Sequence, residues 1–155
     1  MAVQEIEFDE LQSVFDDVDD QFRGIDYGET LKGLTADLRR QHDKQFQTGT
    51  DSTGTAWTPL KESTVRRKGH GIILVDTEDM MNSLTQEGAQ NSISDIGGRN
   101  GSILGRLLFG TSDPKAAKHQ FGIGVPARPP VGVSEETLGK MTNDVADATV
   151  EGLKK

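Results

Sequence analysis

Apolar residues near the N-terminus fall at Phe8, Leu11, Val14, Phe15, Val18 and Phe22. Spacings of three and four put them on one face of an amphipathic helix, with carboxylates opposite. Every charge from Glu5 to Asp20 is acidic, and Gly24 ends the segment. Val3 to Phe8 reads alternatively as a short leading strand. Asp26 and Glu29 have capping-box spacing, and Leu31, Leu34, Leu38 and Phe46 then continue one face, predicting a helix over about residues 28–47. TGTDSTGT, residues 48–55, has no apolar period and predicts a loop.

The run Ile72-Ile73-Leu74-Val75 predicts a buried strand within Gly71 to Asp76, followed by a helical turn from Thr77 to Ser83. From Leu84 to Gly110 the apolar residues Ile93, Ile96, Ile103, Leu104, Leu107, Leu108 and Phe109 are separated by Gly, Asn and Ser. This pattern predicts strands with turns at Gly97-Gly98 and Asn100-Gly101. Pro114 is suited to begin a short helix carrying Ala116, Ala117 and His119. Ser134 is a good N-cap, and Leu138, Met141, Val145 and Leu153 follow at helical spacing, so a C-terminal helix is expected despite Gly139 and Gly152.

The length of 155 residues fits a single domain over 1–155, and 33% hydrophobic with 5% aromatic residues implies a thin core and contact with neighbouring subunits. A net charge of -8 disfavours a nucleic-acid clamp but suits a surface past which DNA slides. The absence of Cys excludes disulfides and thiol catalysis and fits a reducing cytoplasm. The longest apolar run is too short for a bilayer and the N-terminus lacks a signal-peptide pattern, so a soluble chain without its own export signal is expected.

Chemistry-bearing motifs are few. A calcium loop starting at Asp17 would need glycine where Phe22 stands, so Asp16, Asp17, Asp19 and Asp20 read as a solvated helix face. His42, His70 and His119 lack zinc-site spacing, and neither a phosphate-binding glycine loop nor a nucleophile elbow is present. No metal, cofactor or enzymatic activity is expected. Asn100-Gly101-Ser102 fits a glycosylation sequon, without significance in a chain lacking an export signal. Arg66, Arg67 and Lys68, with Lys61 nearby, form one basic patch, open to DNA phosphates, an acidic partner or solvent alone. Trp57 reads as a core or interface plug.

In KHQFGIGVPARPPVGVSEE, residues 118–136, Pro126, Pro129 and Pro130 stiffen the chain. Gly122 and Gly124 permit sharp turns, and Phe121 is placed to anchor the base of this arm in the core. Arg128 presents a planar fork either to a neighbouring subunit or to its own. Phe121, Pro126, Arg128, Pro129 and Pro130 are therefore candidate intersubunit or partner contacts, and on that reading Arg128→Ala weakens assembly more than folding.

Four ordered segments carry a resemblance: TGTAWTPLKESTVRRKG at 53–69, ILVDTEDMMNS at 73–83, AAKHQFG at 116–122 and VPARPPVGVSEE at 125–136. Together they resemble the phage virion morphogenesis family, which includes tail-completion protein S and related neck and tail-terminator proteins. The matching motif positions, with structural roles implied, are Trp57, Pro59, Leu60, Asp76, Thr77, His119, Gln120 and Gly122. The family's usual Thr-Gly-x-Leu is Thr77-Glu78-Asp79-Met80 here, an aromatic before the alanines is Lys115, and the usual Phe-Leu after Arg-Pro is Pro130-Val131.

The resemblance implies an α+β fold, with a small, mostly antiparallel sheet packed by a long helix in the N-terminal half and a C-terminal helix. It further implies a non-enzymatic virion protein forming a hexameric ring at the tail top or neck. Tail-tube and neck or connector proteins are the implied partners, with DNA only as transiting cargo and no membrane. The implied location is the virion, and the host cytoplasm during assembly. A head-side connector or capsid morphogenesis factor is the alternative within the same context. A nucleic-acid-binding accessory protein using Arg66, Arg67 and Lys68 is the alternative of another class.

Overall fold

A computed structural model describes residues 16–17, 20–22, 24–98 and 105–154. The alternative leading strand, most of the acidic amphipathic segment and the Asn100-Gly101 turn lie outside them. Residues 16–17 and 20–22 are helical.

The long helix α1, Gly28–Thr48, buries Leu31, Leu34, Leu38 and Phe46, as their spacing requires. It does not start with the expected capping box. Tyr27 occupies the cap position, so Asp26 lies one residue too early and Glu29 one residue short of where it could reach back. Instead, Asp26 Oδ1 accepts the Gly28 amide at 2.8 Å, and Glu29 accepts from Lys32 at 2.6 Å.

Two short helices follow, α2 at Glu62–Lys68 and α3 at Asp79–Thr85. The strand expected within 71–76 is absent. Leu74 has a φ of 60°, in the left-handed region, which breaks the continuous extended backbone that strand pairing needs. The apolar run is an irregular link that buries Val75, packs Ile73 and Leu74 against the core and leaves Ile72 exposed.

The strands β1, Ser92–Gly98, and β2, Gly105–Thr111, pair antiparallel from Ser92 opposite Thr111 to Gly98 opposite Gly105. Gly97-Gly98 therefore continue the ladder and do not turn. Helix α4, Pro114–Phe121, starts where Asp113 accepts the Lys115 amide at 2.8 Å. Helix α5, Glu135–Gly152, starts as expected, with Ser134 Oγ accepting the Thr137 amide at 3.1 Å.

This is an α+β fold whose core gathers Phe46, Trp57, Val75, Met80, Leu84 and Ala116, with Phe109 and Val131 packed against it. The rings of Phe46 and Trp57 meet edge-on at 5.5 Å. Helix α5 contributes no buried residue. It lies along α1 through polar contacts, Lys140 to Asp37 at 2.7 Å and the Tyr27 hydroxyl to Thr149 Oγ1 at 2.8 Å.

His42 sits on the buried side of α1, with its ring 5.2 Å from that of Phe109. Its Nδ1 lies 2.7 Å from the Leu38 carbonyl, which can only accept, so Nδ1 carries the proton; Nε2 has no partner among the described residues. Burial lowers the imidazole pKa, the Leu38 carbonyl opposes this, and Arg39 reinforces it. With its folded pKa depressed, the unfolded chain binds more protons as pH falls below about 6.5, so stability drops on acidification through that value toward the folded pKa. We expect a lower melting temperature at pH 5.5 than at 7.5, and a shallower dependence in His42→Gln. Thermal melts across this range check it, and an unchanged slope in the variant would assign the dependence to other groups.

Candidate functional site

Pro126, Pro129 and Pro130 offer no amide hydrogen, so residues 125–134 cannot pair as a regular inner strand. Their remaining polar groups are satisfied largely by side chains. Trp57 Nε1 donates to the Pro129 carbonyl at 3.2 Å. Gln120 bonds both ways to Val131, its Nε2 donating to the carbonyl and its Oε1 accepting the amide, each at 3.1 Å. Gln41 likewise donates to the Gly132 carbonyl and accepts the Ser134 amide, both at 2.9 Å. The Arg128 amide donates to the His119 carbonyl at 2.8 Å.

The Arg128 guanidinium is turned inward, and the residue is 5% exposed. Nε donates to the Thr58 carbonyl at 2.6 Å and Nη2 to the Pro59 carbonyl at 3.0 Å. Of the two partners left open by the sequence, this chain's own backbone takes the fork. The proline segment is thus a strap bound to its own subunit, not a projecting arm. Pro130 is fully buried beneath it, Pro129 is half-buried and Pro126 is exposed. Phe121 does not anchor the base in the core: it is 74% exposed. Gly122 ends α4 with a φ of 68°, and a Cβ there would meet Ala127 at 3.3 Å, so the His-Gln-Phe-Gly turn requires its glycine.

Below the strap lies a cleft of about 480 Å³, walled by α2, the 74–80 link, α4 and residues 124–128. It brings together motif residues from all four segments: Pro59 and Leu60, Asp76 and Thr77, His119, and Arg128. Trp57 and Gln120 hold the strap, and Gly122 ends α4 just before it. From the basic patch, Arg67 and Lys68 line the cleft; Arg66 lies outside it, 3.4 Å from Glu62. Lys115 lines it as well, a role sequence reading missed because that residue registered only as a departure from the family pattern.

The cations are crowded. Lys68 Nζ donates to the Ile72 carbonyl at 2.8 Å; burial lowers its pKa, Asp76 raises it, and Arg67 and Arg128 lower it further. Burial also lowers His119, with Arg128 and then Lys68 adding to the effect, and His119 Nδ1 is buried without a partner among the described residues. Facing them, Thr77 Oγ1 donates to Asp79 at 2.5 Å. Leu74 and Glu78, with φ of 60° and 64°, bracket Asp76-Thr77 in left-handed backbone. Such strain costs roughly 1–2 kcal/mol at a non-glycine residue. Glu78 occupies the position where the resembling family carries glycine, and the left-handed φ explains that glycine.

Among the described residues, no cluster of His, Cys, Asp or Glu is arranged to hold a metal, and no helix is long and apolar enough to cross a membrane. Residues 6–150 match the phage virion morphogenesis family, a span that includes the strap and every motif segment around the cleft. The protein is of the class of phage virion structural or assembly proteins. The chain belongs to the phage virion morphogenesis family. No curated protein and no solved structure shows significant similarity to it.

Two stability changes follow from this geometry. Arg128→Ala removes two charge-assisted bonds and leaves the Thr58 and Pro59 carbonyls short of donors, and should destabilise the isolated chain by about 2–4 kcal/mol. Denaturant titration at a concentration too low for association checks it; unchanged stability would mean that the fork acts elsewhere. Glu78→Gly relieves left-handed strain at some cost in backbone entropy, and should stabilise by roughly 0.5–1 kcal/mol in the same titration.

Proposed function

We propose that this chain is a non-enzymatic structural protein that forms a ring, hexameric as in the family resemblance, at the tail top or neck of a phage particle. There it completes the tail and joins it to the head. The observation that carries this reading is α5, a helix of 18 residues with none buried. Leu138 is 57% exposed, Val150 54% and Leu153 45%, while Phe121 at 74% and Ile123 at 60% add a second apolar area. A helix that buries little in one copy has little to stabilise it, and apolar exposure on this scale marks a surface covered on assembly.

A contact between two different faces, repeated with a rotation that closes, generates a ring. The net charge of -8 is compatible with a channel that DNA passes without sticking. Tail-tube and neck or connector proteins are the partners this placement implies, with assembly in the host cytoplasm and residence in the virion. A head-side connector would use the same surfaces, and particle imaging distinguishes it.

Leu138 and Val145, seven residues apart on one side of α5, test the ring. Leu138→Asp with Val145→Asp should shift the oligomer to smaller species in size-exclusion chromatography with light scattering, with the melting temperature of the dilute chain changed by only a few degrees. Particles made without the protein should show tails of uncontrolled length, or finished tails unattached to heads. An unchanged oligomer together with normal particles would reject the reading.

A further inference from the structure

We propose that the basic cleft of one copy receives the acidic N-terminal segment, Glu5 to Asp20, of a second copy, an inference that rests on the ring reading. The cleft is lined by Lys61, Arg67, Lys68, Lys115 and Arg128 together with Asp76, Glu78 and Asp79, so cations outnumber carboxylates there. Within a single copy burial disfavours the charge on Lys68, Asp76 favours it and Arg67 and Arg128 oppose it, while burial and then Arg128 and Lys68 disfavour charge on His119. His119, its Nδ1 buried and unpartnered among the described residues, lines the same cleft. An arriving carboxylate would offset the crowding of positive charge.

The segment from Glu5 to Asp20 carries eight carboxylates and neither Lys nor Arg, interleaved with Phe8, Leu11 and Phe15. Its charge complements the cleft. Its apolar residues suit the exposed Ile72, Phe121 and Ile123, which adjoin the cleft's walls along the chain. Lys68, through its bond to the Ile72 carbonyl, ties one of these apolar positions to the basic cleft.

The ring reading, with its head-to-tail contact, selects a second copy over the same one. Ile25 packs against Gly152 at the end of α5, and Tyr27 bonds to Thr149, so the N-terminal segment joins the body at the first turn of α1. The cleft lies near the other end of α1, where Phe46 meets Trp57 and the Thr58 and Pro59 carbonyls hold Arg128. Twenty-one helical residues separate the two ends by about 31 Å. The attachment point of the acidic segment and the basic cleft, at opposite ends of α1, form a pair of unlike surfaces, the arrangement that propagates head to tail and closes as a ring.

Sedimentation velocity on the full chain tests this with two variants. One carries Arg67→Glu and Lys115→Glu in the cleft; the other carries Glu5→Lys, Glu7→Lys, Asp9→Lys and Glu10→Lys. Each alone should weaken self-association at least tenfold, even though the second removes the net negative charge that would otherwise oppose association. Mixed one to one, the two should regain assembly, because the acidic segment of the first meets the basic cleft of the second. Circular dichroism checks folding, and the N-terminal variant, altered only at residues 5–10, stands if the cleft variant fails to fold.

Wild-type oligomers with both variants unaffected, or no recovery on mixing, would overturn this docking and leave the ring intact. A wild-type chain that stays single at every concentration would overturn both. Loss of binding to a labelled DNA duplex in the cleft variant, with self-association untouched, would make the cleft a nucleic-acid surface and reject the proposal.

Discussion

A backbone segment with prolines at three of five positions has too few amide donors to join a sheet, yet here it buries Arg128 and Pro130. Burying it requires partners from elsewhere, because unpaired carbonyls and amides away from water are costly. The chain supplies them with side chains whose donor and acceptor geometry resembles a peptide, the amides of Gln41 and Gln120 and the indole N–H of Trp57, while the strap's own Arg128 reaches out to the Thr58 and Pro59 carbonyls. Each comes from a different part of the sequence. The strap therefore ties α1, the 57–59 segment, α4 and the start of α5 into one body.

That constraint positions the cleft. Fixing Arg128 on the Thr58 and Pro59 carbonyls places a buried cation beside Lys68 and His119, and burial weakens the tendency of all three to hold charge. The opposite wall is held in left-handed backbone at Leu74 and Glu78. Crowded like charges and local strain are both unfavourable in an isolated subunit, and persist where the surrounding packing over-determines them. A protein that acts only when assembled can have such features relieved by its neighbour.

The small core points the same way. Its buried apolar cluster is drawn mostly from residues 46–116, while α5 remains a polar-tethered helix with apolar residues facing outward. Lys140 shares Asp37 with Arg40 and also reaches Asp144, and Asp37 is nearly buried, so α5 is fixed in direction by charge more than by packing. Such a helix has a defined orientation and an available face, which suits a surface built for assembly.

Local signals in the sequence determined α1, α5 and the start of α4, but neither the first residues of α1, which lack the expected capping box, nor α2, whose residues read only as a basic patch. The three-and-four spacing from Leu31 to Phe46, the cap at Ser134 and the proline at position 114 all act within one or two turns, so each could be read from neighbours alone. The ordered motifs likewise made the family legible, because they are properties of the chain in one dimension. Tertiary structure decided the rest. Ile72 to Val75 has strand composition, but no strand beside it to pair with, and Leu74 turns left-handed to let Val75 reach the core. Gly97-Gly98 resembles a turn, but the register opposite Gly105 and Arg106 extends the ladder through it. Arg128 had two possible partners, and only the fold brings the Thr58 and Pro59 carbonyls within reach, some seventy residues away. Hydrogen bonds between distant segments depend on how the elements pack, and no local spacing encodes that.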